Sequence, residues 1–263
     1  MGRRSARSEE GAYLIDGPIL LAEALAAEVE IESIYVEPEA LNHEAIWAAR
    51  SAQIRVKEVT RGALRKVLEV AAPQDMVAVA QQRQADVADL ISRAVATNRP
   101  LLVLVELADP GNAGTLIRVA EAAGCAGVVM TERTVDLYNP KTVRATAGAV
   151  FRVAVAENVD VAELLTDCSS AGLPTWATVV DSGVLAEQAP LHAAGALLLG
   201  SEAHGLDQNL VQRCTLAVSI PMDGQVESLN AAVAGSVFLF EAARQRRTAG
   251  VHFDSAAGNS AAD

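Results

Sequence analysis

The sequence predicts an α/β protein in two parts, a small α+β domain followed by a larger domain with a mostly parallel sheet. Short strands and helices alternate in the first part, whereas the later strands include continuous apolar runs typical of buried parallel strands. Three later strands end in loops rich in glycine and small polar side chains. With 263 residues, 51% hydrophobic and 21% charged, the chain can bury one large core or two small ones.

In the first part, the spacing of apolar residues predicts the elements. Pro18 favours a helix over 19–27, because its missing N–H is not needed in a first turn. Thr60 is a candidate N-cap for a helix over 63–69. The other predicted elements are a helix over 41–50 and strands over 12–17, 31–36, 54–59 and 76–80.

Residues 81–99 are polar apart from one amphipathic stretch, 87–95, which predicts a linker or a bridging helix. The small polar residues from Ala249 onward predict a disordered tail. The expected organisation is therefore a domain at 1–82, a linker at 83–99, a second domain at 100–248 and a tail at 249–263.

The second part alternates strands and helices, which predicts a parallel sheet covered by helices. Because ligands bind at the carboxyl ends of parallel strands, we expect the site in the loops that follow them. The predicted strands are 101–105, 127–130, 151–155, 175–180, 196–199 and 216–220. The predicted helices are one that follows a turn at 109–114 and ends at Gly124, and three more at 142–149, 161–171 and 228–247.

The composition narrows the class of protein. No apolar run reaches the ~18 residues of a membrane span, and the N-terminus lacks the apolar segment of a signal peptide. Three separated cysteines, Cys125, Cys168 and Cys214, favour a reducing cytoplasm over a disulfide framework or a zinc ribbon. Four scattered histidines argue against a metal site.

The net charge of −12 is not the overall signature of a nucleic-acid-binding protein. Residues 50–66 nevertheless carry six basic side chains against the single acidic Glu58, and such a local surface can meet phosphates. A solvated helix face explains this segment equally well, so both interpretations stay open.

The first glycine-containing loop runs from Asp109 to Gly114 and leads into a helix that carries Arg118. A strand, a loop and a helix N-terminus in this order can bind an anion. The dinucleotide fingerprint GxGxxG is absent, which argues against a Rossmann cofactor site.

The second loop, 199–206, contains Gly200, Glu202 and His204. Histidine can act as a general base near neutral pH, but His204 has no obvious partner nearby in sequence, which favours a surface position. The third loop leads to Ser228, a candidate N-cap, and to Asn230. A serine nucleophile is not predicted, because no G-x-S-x-G pattern is present.

Together these loops resemble the SpoU (TrmH-type) family of RNA ribose 2′-O-methyltransferases, in the SPOUT class. The resemblance covers nearly all of 100–247, and its matching segments are 109–120, 139–148, 199–206 and 220–234. Segments 13–17, 23–25 and 72–79 are similar to the L30e-like RNA-binding domain that precedes the catalytic domain in rRNA-modifying members. Asp16 and Asp75 depart from that pattern, where glutamate and glycine are usual, and the leading basic helix is reduced to a few arginines.

The resemblance implies a deep trefoil knot, a homodimer with sites built from both subunits, and S-adenosylmethionine as the cofactor. It places Arg118 at the reacting hydroxyl with Asn112 nearby, Glu202 as the orienting group, and Ser228 and Asn230 as holding groups. The implied cofactor neighbours are Thr178, Leu199, Gly200, Ile220, Met222 and Leu229. The expected RNA-binding residues are Arg144 together with the basic residues Arg55, Lys57, Arg61 and Arg65.

The expected activity is methylation of a ribose 2′-hydroxyl in structured RNA, with 23S rRNA as first choice and tRNA as the alternative. No membrane and no metal partner is expected. Two other interpretations stay open: a non-catalytic RNA- or cofactor-binding module on the same scaffold, and an unrelated α/β enzyme that uses the Asn112 loop for phosphate.

Overall fold

The computed structural model describes residues 4–67, 74–224 and 226–250. Its N-terminal part is an α+β unit, as the sequence predicts. The elements are α1 (Arg4–Glu10), β1 (Ala12–Asp16), α2 (Pro18–Ala26), β2 (Ile31–Val36), α3 (Glu44–Ser51), β3 (Val56–Glu58), α4 (Ala63–Val67) and β4 (Met76–Gln81). The strands form one sheet in the order β1-β4-β2-β3, in which only the β2–β3 pair is parallel.

One helix start and one helix cap in this part differ from the predictions, whereas α4 begins at Ala63 as predicted. α3 begins at Glu44 rather than 41, because the Nδ1 atom of His43 accepts the amide of Ala45 at 3.1 Å and caps the helix there. Thr60 does not supply the side-chain cap near α4. Instead the buried carboxylate of Glu37 accepts the amides of Gly62 and Leu64, at 2.7 and 3.0 Å. The predicted end of this helix at 69 lies outside the described residues.

The second part is a parallel α/β domain. Its elements are α5 (Val87–Thr97), β5 (Leu101–Leu104), α6 (Pro110–Ala123), β6 (Gly127–Thr131), α7 (Pro140–Ala145), β7 (Val155–Val159), α8 (Val161–Ser170), β8 (Thr175–Thr178), β9 (Val184–Leu185), β10 (Ala196–Leu199), α9 (Gln208–Arg213), β11 (Leu216–Ser219) and α10 (Ala231–Thr248). The strands pair in parallel in the order β7-β6-β5-β10-β8-β11-β9.

Side chains alternate between the two faces of this sheet. On β5, Leu101 and Val103 pack with α5 and α8 on one face, while Leu102 and Leu104 pack with α6 and α10 on the other. α5, predicted as a linker or bridging helix, is thus a packed helix of the second domain. No described helix is long and apolar enough to cross a membrane.

Several predicted boundaries in this domain were wrong. The turn expected at 109–114 belongs to α6, which begins at Pro110, and the helix expected at 142–149 is α7, which ends at Ala145. The strand expected at 151–155 is β7 and begins at Val155, because 149–151 form a turn of 3₁₀ helix. The last helix begins at Ala231 rather than 228, since Asn230 caps it. The short elements β9 and α9 were not predicted. The tail after 250 lies outside the described residues.

The two domains share one continuous hydrophobic core. Tyr13 of β1 and Tyr138, which precedes α7, stack with their ring centroids 4.5 Å apart. Arg7 of α1 reaches the second domain, where its Nε atom donates to Asp136 at 3.1 Å. These contacts hold the N-terminal sheet against α7.

Glu157 lies at the edge of this interface and is half-buried. Burial raises the pKa of its carboxyl above the usual range, and the nearby charge of Asp136 adds to that effect. The hydrogen bond from the amide of Leu137, at 2.9 Å, acts in the opposite direction.

We expect Glu157→Gln to stabilise the protein at neutral pH. The raised folded-state pKa means that the folded protein binds more protons than the unfolded chain, so stability falls as pH rises from the unfolded pKa through the folded one. Glutamine keeps an acceptor for Leu137 without the charge. Urea unfolding at about pH 4 and about pH 7 should show an advantage that grows with pH. The exposed Glu132→Gln variant is the control, and a pH-independent advantage of Glu157→Gln would contradict the assignment.

Candidate active site

The site lies where β5 and β10 run side by side. Leu101 pairs with Ala196 and Leu104 with Leu199, and the other neighbour of β5 is β6. Ligands of α/β sheets bind outside the carboxyl ends of strands at such a reversal of strand order. The loops that follow β5 and β10 therefore meet at one edge of the sheet.

A cavity of about 440 Å³ opens at the ends of β8, β10 and β11. Its volume lies in the range of small-molecule sites. All six residues that the sequence analysis assigned to the cofactor line it: Thr178, Leu199, Gly200, Ile220, Met222 and Leu229. Glu202 and Ser228 line it as well.

The loop after β10 folds back on itself. The amide of Gly205 donates to the carbonyl of Ser201 at 2.9 Å. A Cβ atom at Gly200 would lie 2.2 Å from the backbone of Gly205, so only glycine fits there. On the next strand, the Thr178 hydroxyl donates to the carbonyl of Leu198 at 2.9 Å. These contacts fix the backbone of 198–205 beside the cavity.

A second cavity, of about 620 Å³, lies beside the first at the ends of β5 and β10. Its walls include Glu106, Asp109 and Asn112. The segment 201–204 lines both cavities and thus separates them. Glu202 and His204, both exposed, belong to this shared wall.

A chain of hydrogen bonds joins three of the predicted catalytic residues. The Nδ2 atom of Asn230 donates to Oδ1 of Asn112 at 3.1 Å, and Nδ2 of Asn112 donates to Oε1 of Glu202 at 2.8 Å. The Oδ1 atom of Asn230 accepts two amides in the first turn of α10, which orients its amide group. The backbone amide of Asn112 donates to Asp109 at 2.7 Å, so caps of two helices fix the chain of hydrogen bonds.

The remaining catalytic candidates lie apart from this chain of hydrogen bonds. Ser228 lines the first cavity but does not cap α10, as the sequence analysis had considered, because the backbone amides are bound by Asn230. Arg118 is exposed on α6 and lines neither cavity. It makes no hydrogen bond or ion pair with the described part of the chain.

Three of the five predicted RNA-binding residues contact other side chains of the protein. Arg144 lies 3.4 Å from the buried carboxylate of Asp16 and so bridges the two domains. Lys57 contacts Tyr35, with its Nζ atom 3.2 Å from the hydroxyl and 5.0 Å from the ring centroid. Arg61 pairs with Glu39. Arg55 and Arg65 are exposed.

Sequence reasoning missed several residues of the site. Asp109 matters as the cap that holds Asn112, and an Asp-Pro pair before a helix is a recognisable start signal. Ala231, Ala234 and Phe238 of α10 also line the first cavity. Their spacing of three and four residues marks one helix face, but it does not distinguish a cavity wall from core.

None of the three cysteines lines either cavity. Burial raises the pKa of Cys125 to about 12 and that of Cys168 to about 11, so neither thiol ionises near neutrality. No group of three or more potential metal ligands occurs among the described residues. What the site offers is an apolar cavity, a neighbouring polar cavity and oriented amide and carboxylate groups between them.

Comparison with known proteins agrees with this geometry. The SpoU rRNA Methylase family matches residues 99–240, and the MRM3-like substrate binding domain matches residues 1–78. The chain is 30% identical to the 23S rRNA (guanosine(2553)-2′-O)-methyltransferase RlmP of Bacillus subtilis, over 89% of each chain.

Solved structures agree as well. An AdoMet-bound rRNA methyltransferase from Sinorhizobium meliloti has a TM-score of 0.81 at 27% identity, covering 93% of this chain and 91% of that one. The SpoU methyltransferase AviRb from Streptomyces viridochromogenes, in complex with AdoMet, has a TM-score of 0.81 at 26% identity, covering 94% and 95%.

We expect Asn230→Asp to destabilise the protein less than Asn230→Ala, although a carboxylate cannot donate the hydrogen bond to Asn112. A carboxylate still accepts the two amides of α10, whereas alanine removes the cap at a cost of about 0.5–2 kcal/mol. In thermal unfolding this cost lowers Tm by roughly 2–4 °C per kcal/mol. Equal destabilisation by both substitutions would show instead that the bond to Asn112 carries the stability.

Proposed function

The chain belongs to the SpoU rRNA methylase family, and from that premise we propose that it methylates a ribose 2′-hydroxyl in RNA with S-adenosylmethionine as the methyl donor. The proposed substrate is 23S rRNA. The observation that carries the proposal is the first cavity, because its lining contains every residue that the family pattern assigns to the cofactor. The second cavity adjoins it across a single loop.

The first cavity suits S-adenosylmethionine. Leu199, Ile220 and Met222 offer apolar walls for an adenine ring, and the backbone at Gly200 lies open because no side chain fits there. When bound, the cofactor supplies a methyl group on a positively charged sulfur atom. The protein's part is to place a hydroxyl in line with that group, and positioning of this kind can account for much of a rate enhancement.

The second cavity receives the ribose in this proposal. Asn112 and Glu202 both line it, and the hydrogen bond between them orients both side chains. Asn230 fixes the direction of the Asn112 amide from behind. Ser228, on the wall of the first cavity, is left to hold substrate or cofactor.

Arg118 serves as an electrostatic group rather than as a base. A guanidinium stays protonated at any physiological pH, with a pKa above ~12, so it cannot accept the hydroxyl proton. It can align a phosphate and stabilise the alkoxide that develops on the ribose oxygen. Since Arg118 lines neither cavity of its own chain, we place it in the site of the partner subunit.

An apolar stripe on α10 supports the homodimer that this placement requires. Val233, Val237 and Phe240 follow one another along one helix face, and their exposed fractions are 49%, 41% and 48%. Leu229 continues the stripe toward the first cavity. Contiguous exposed apolar surface of this kind marks an interface, and a second copy of the chain is the proposed occupant. The deep trefoil knot and a cytoplasmic location are further parts of the proposal.

The direct test is methyl transfer from labelled S-adenosylmethionine to total RNA, followed by separation of ribosomal and transfer RNA. We expect label in large-subunit rRNA at an alkali-resistant linkage, because methylation removes the hydroxyl that cleaves the chain in alkali. Label in tRNA would contradict 23S rRNA as the substrate and support tRNA instead. Cofactor binding without label in any RNA or ribosomal particle would contradict the enzyme and favour a binding module.

We expect Arg118→Ala to abolish methyl transfer while calorimetry still detects cofactor binding. Mixed dimers of Arg118→Ala and Asn112→Ala, isolated by two affinity tags, should regain about half of the wild-type activity, because one of two symmetric sites is then complete. Dimers of Arg118→Ala with itself are the control. Inactive mixed dimers would show that Arg118 acts within its own chain.

A further inference from the structure

A third cavity, of about 570 Å³, lies on the N-terminal domain and is separate from the site described above. It opens at the end of the sheet where β1 and β2 finish and β4 begins, and its walls include Pro18, His43 and Gln74. Backbone hydrogen bonds tie this end together, from Gly17 to Met76 at 3.1 Å and from Glu37 to Asp75 at 2.8 Å.

Two exposed apolar side chains follow residues of the cavity wall in the sequence. Ile19 follows Pro18 and is 76% exposed. Trp47 is 56% exposed, and its amide donates to the carbonyl of His43 one turn earlier on α3. A helical side chain covers the turn that precedes its own Cα, which directs the indole toward the His43 side of the helix, at the rim of the cavity. Because Trp47 is not buried, its ring presents a flat aromatic surface to solvent.

Three arginines lie on the elements around the cavity, although its wall carries Glu39 and Asp75 and the protein as a whole is acidic. Arg50 lies one turn after Trp47 on α3, and Arg61 and Arg65 follow β3 at the same end of the sheet. Arg61 forms an ion pair with Glu39 of the cavity wall. Positive charge beside an exposed aromatic ring is the combination that binds single-stranded nucleic acid, through phosphates and stacked bases respectively.

Two carboxylates on the wall, Glu39 and Asp75, favour bases that carry an amino group. Carboxylates accept hydrogen bonds from the exocyclic amino groups of bases, such as that of cytosine. Uracil carries a carbonyl oxygen in place of that amino group, and a carboxylate repels this oxygen. Its N3–H is then the single donor at this edge.

We propose that this cavity binds one unpaired, amino-bearing nucleobase of the RNA substrate, with the base stacked on Trp47 and the flanking phosphates near Arg61 and Arg65. The proposal rests on RNA as the substrate and names where the N-terminal domain holds it. Trp47 acts here as a binding residue, remote from methyl transfer.

Tryptophan fluorescence tests this site without any methylation assay. The chain has two tryptophans, and Trp176 is fully buried in the second domain, so a stacked base should quench Trp47 alone. Titration with cytidine hexanucleotide, without cofactor, should quench the emission at lower concentration than uridine hexanucleotide, and Trp47→Phe should remove the quenching. Absence of quenching, or equal quenching by an RNA duplex, overturns the site. Equal quenching by the two hexanucleotides overturns the role of the carboxylates.

Methylation kinetics then connect the site to the substrate. Trp47→Ala should raise KM for rRNA on the order of tenfold, as expected for loss of one stacked base, and leave kcat unchanged. Trp47→Phe should recover most of the loss, and Val95→Ala, another exposed apolar side chain, is the control. Thermal unfolding confirms that each variant is folded.

The outcomes also separate this inference from the proposed function. Quenching by RNA in a protein that transfers no methyl group would support the base site and contradict the enzyme. Normal kinetics of Trp47→Ala in an active enzyme would overturn the base site alone. If Trp47→Ala raises KM for ribosomal particles but not for naked rRNA, Trp47 contacts a protein partner. That result would overturn the proposal that it binds a nucleobase.

Discussion

The parallel pairing of β5 with β10 is the constraint on which the rest of the site depends. These strands lie far apart in the sequence, and their register places Leu104 beside Leu199. The loop that carries Glu106 and Asp109 is thereby brought against the loop that carries Glu202. A slip of the register by one residue would move each leucine to the opposite, differently packed face of the sheet and shift the two loops relative to each other, so packing of the sheet also sets the geometry of the site.

Helix capping and site geometry use the same atoms. Asp109 and Asn230 satisfy amides that the first turns of α6 and α10 would otherwise leave unpaired. In doing so they orient Asn112, whose amide joins the two helices to the loop after β10. The polar groups of the site are therefore held by interactions that stabilise the fold, which leaves them little freedom to relax when a substrate enters.

Much of this arrangement can be predicted from the sequence, since its signals are local. The run 101–105 predicts a buried strand. Similar runs place Leu199, Gly200 and Ile220 at strand ends, while their role toward the cofactor comes from the family resemblance. The predictions of helix caps were wrong where a residue distant in the sequence supplies the cap. Glu37, rather than Thr60, binds the amides near α4, and no pattern in one segment indicates a cap from another.

Charge patterns were less informative than strand patterns, because they do not say which side chain faces which. Arg144 has the sequence context of a phosphate-binding residue, yet it lies beside the buried Asp16. Trp47 carries no sequence signal at all, since an amphipathic helix accommodates tryptophan equally well inside or outside. Its exposure depends on how α3 lies on the sheet, which only the assembled domain determines.

The shared core between the two domains has a consequence for how an RNA could be selected. Tyr13 and Tyr138 stack within a single hydrophobic core, and Arg7 reaches across to Asp136, so the N-terminal sheet cannot swing freely about the chain that joins it to the second domain. Any ligand that contacts both domains must therefore span a set length in a set direction. Under the proposed binding of one RNA by both domains, the protein accepts RNAs by the distance between two of their nucleotides in the folded state, and it discriminates against the same nucleotides when the RNA is unfolded.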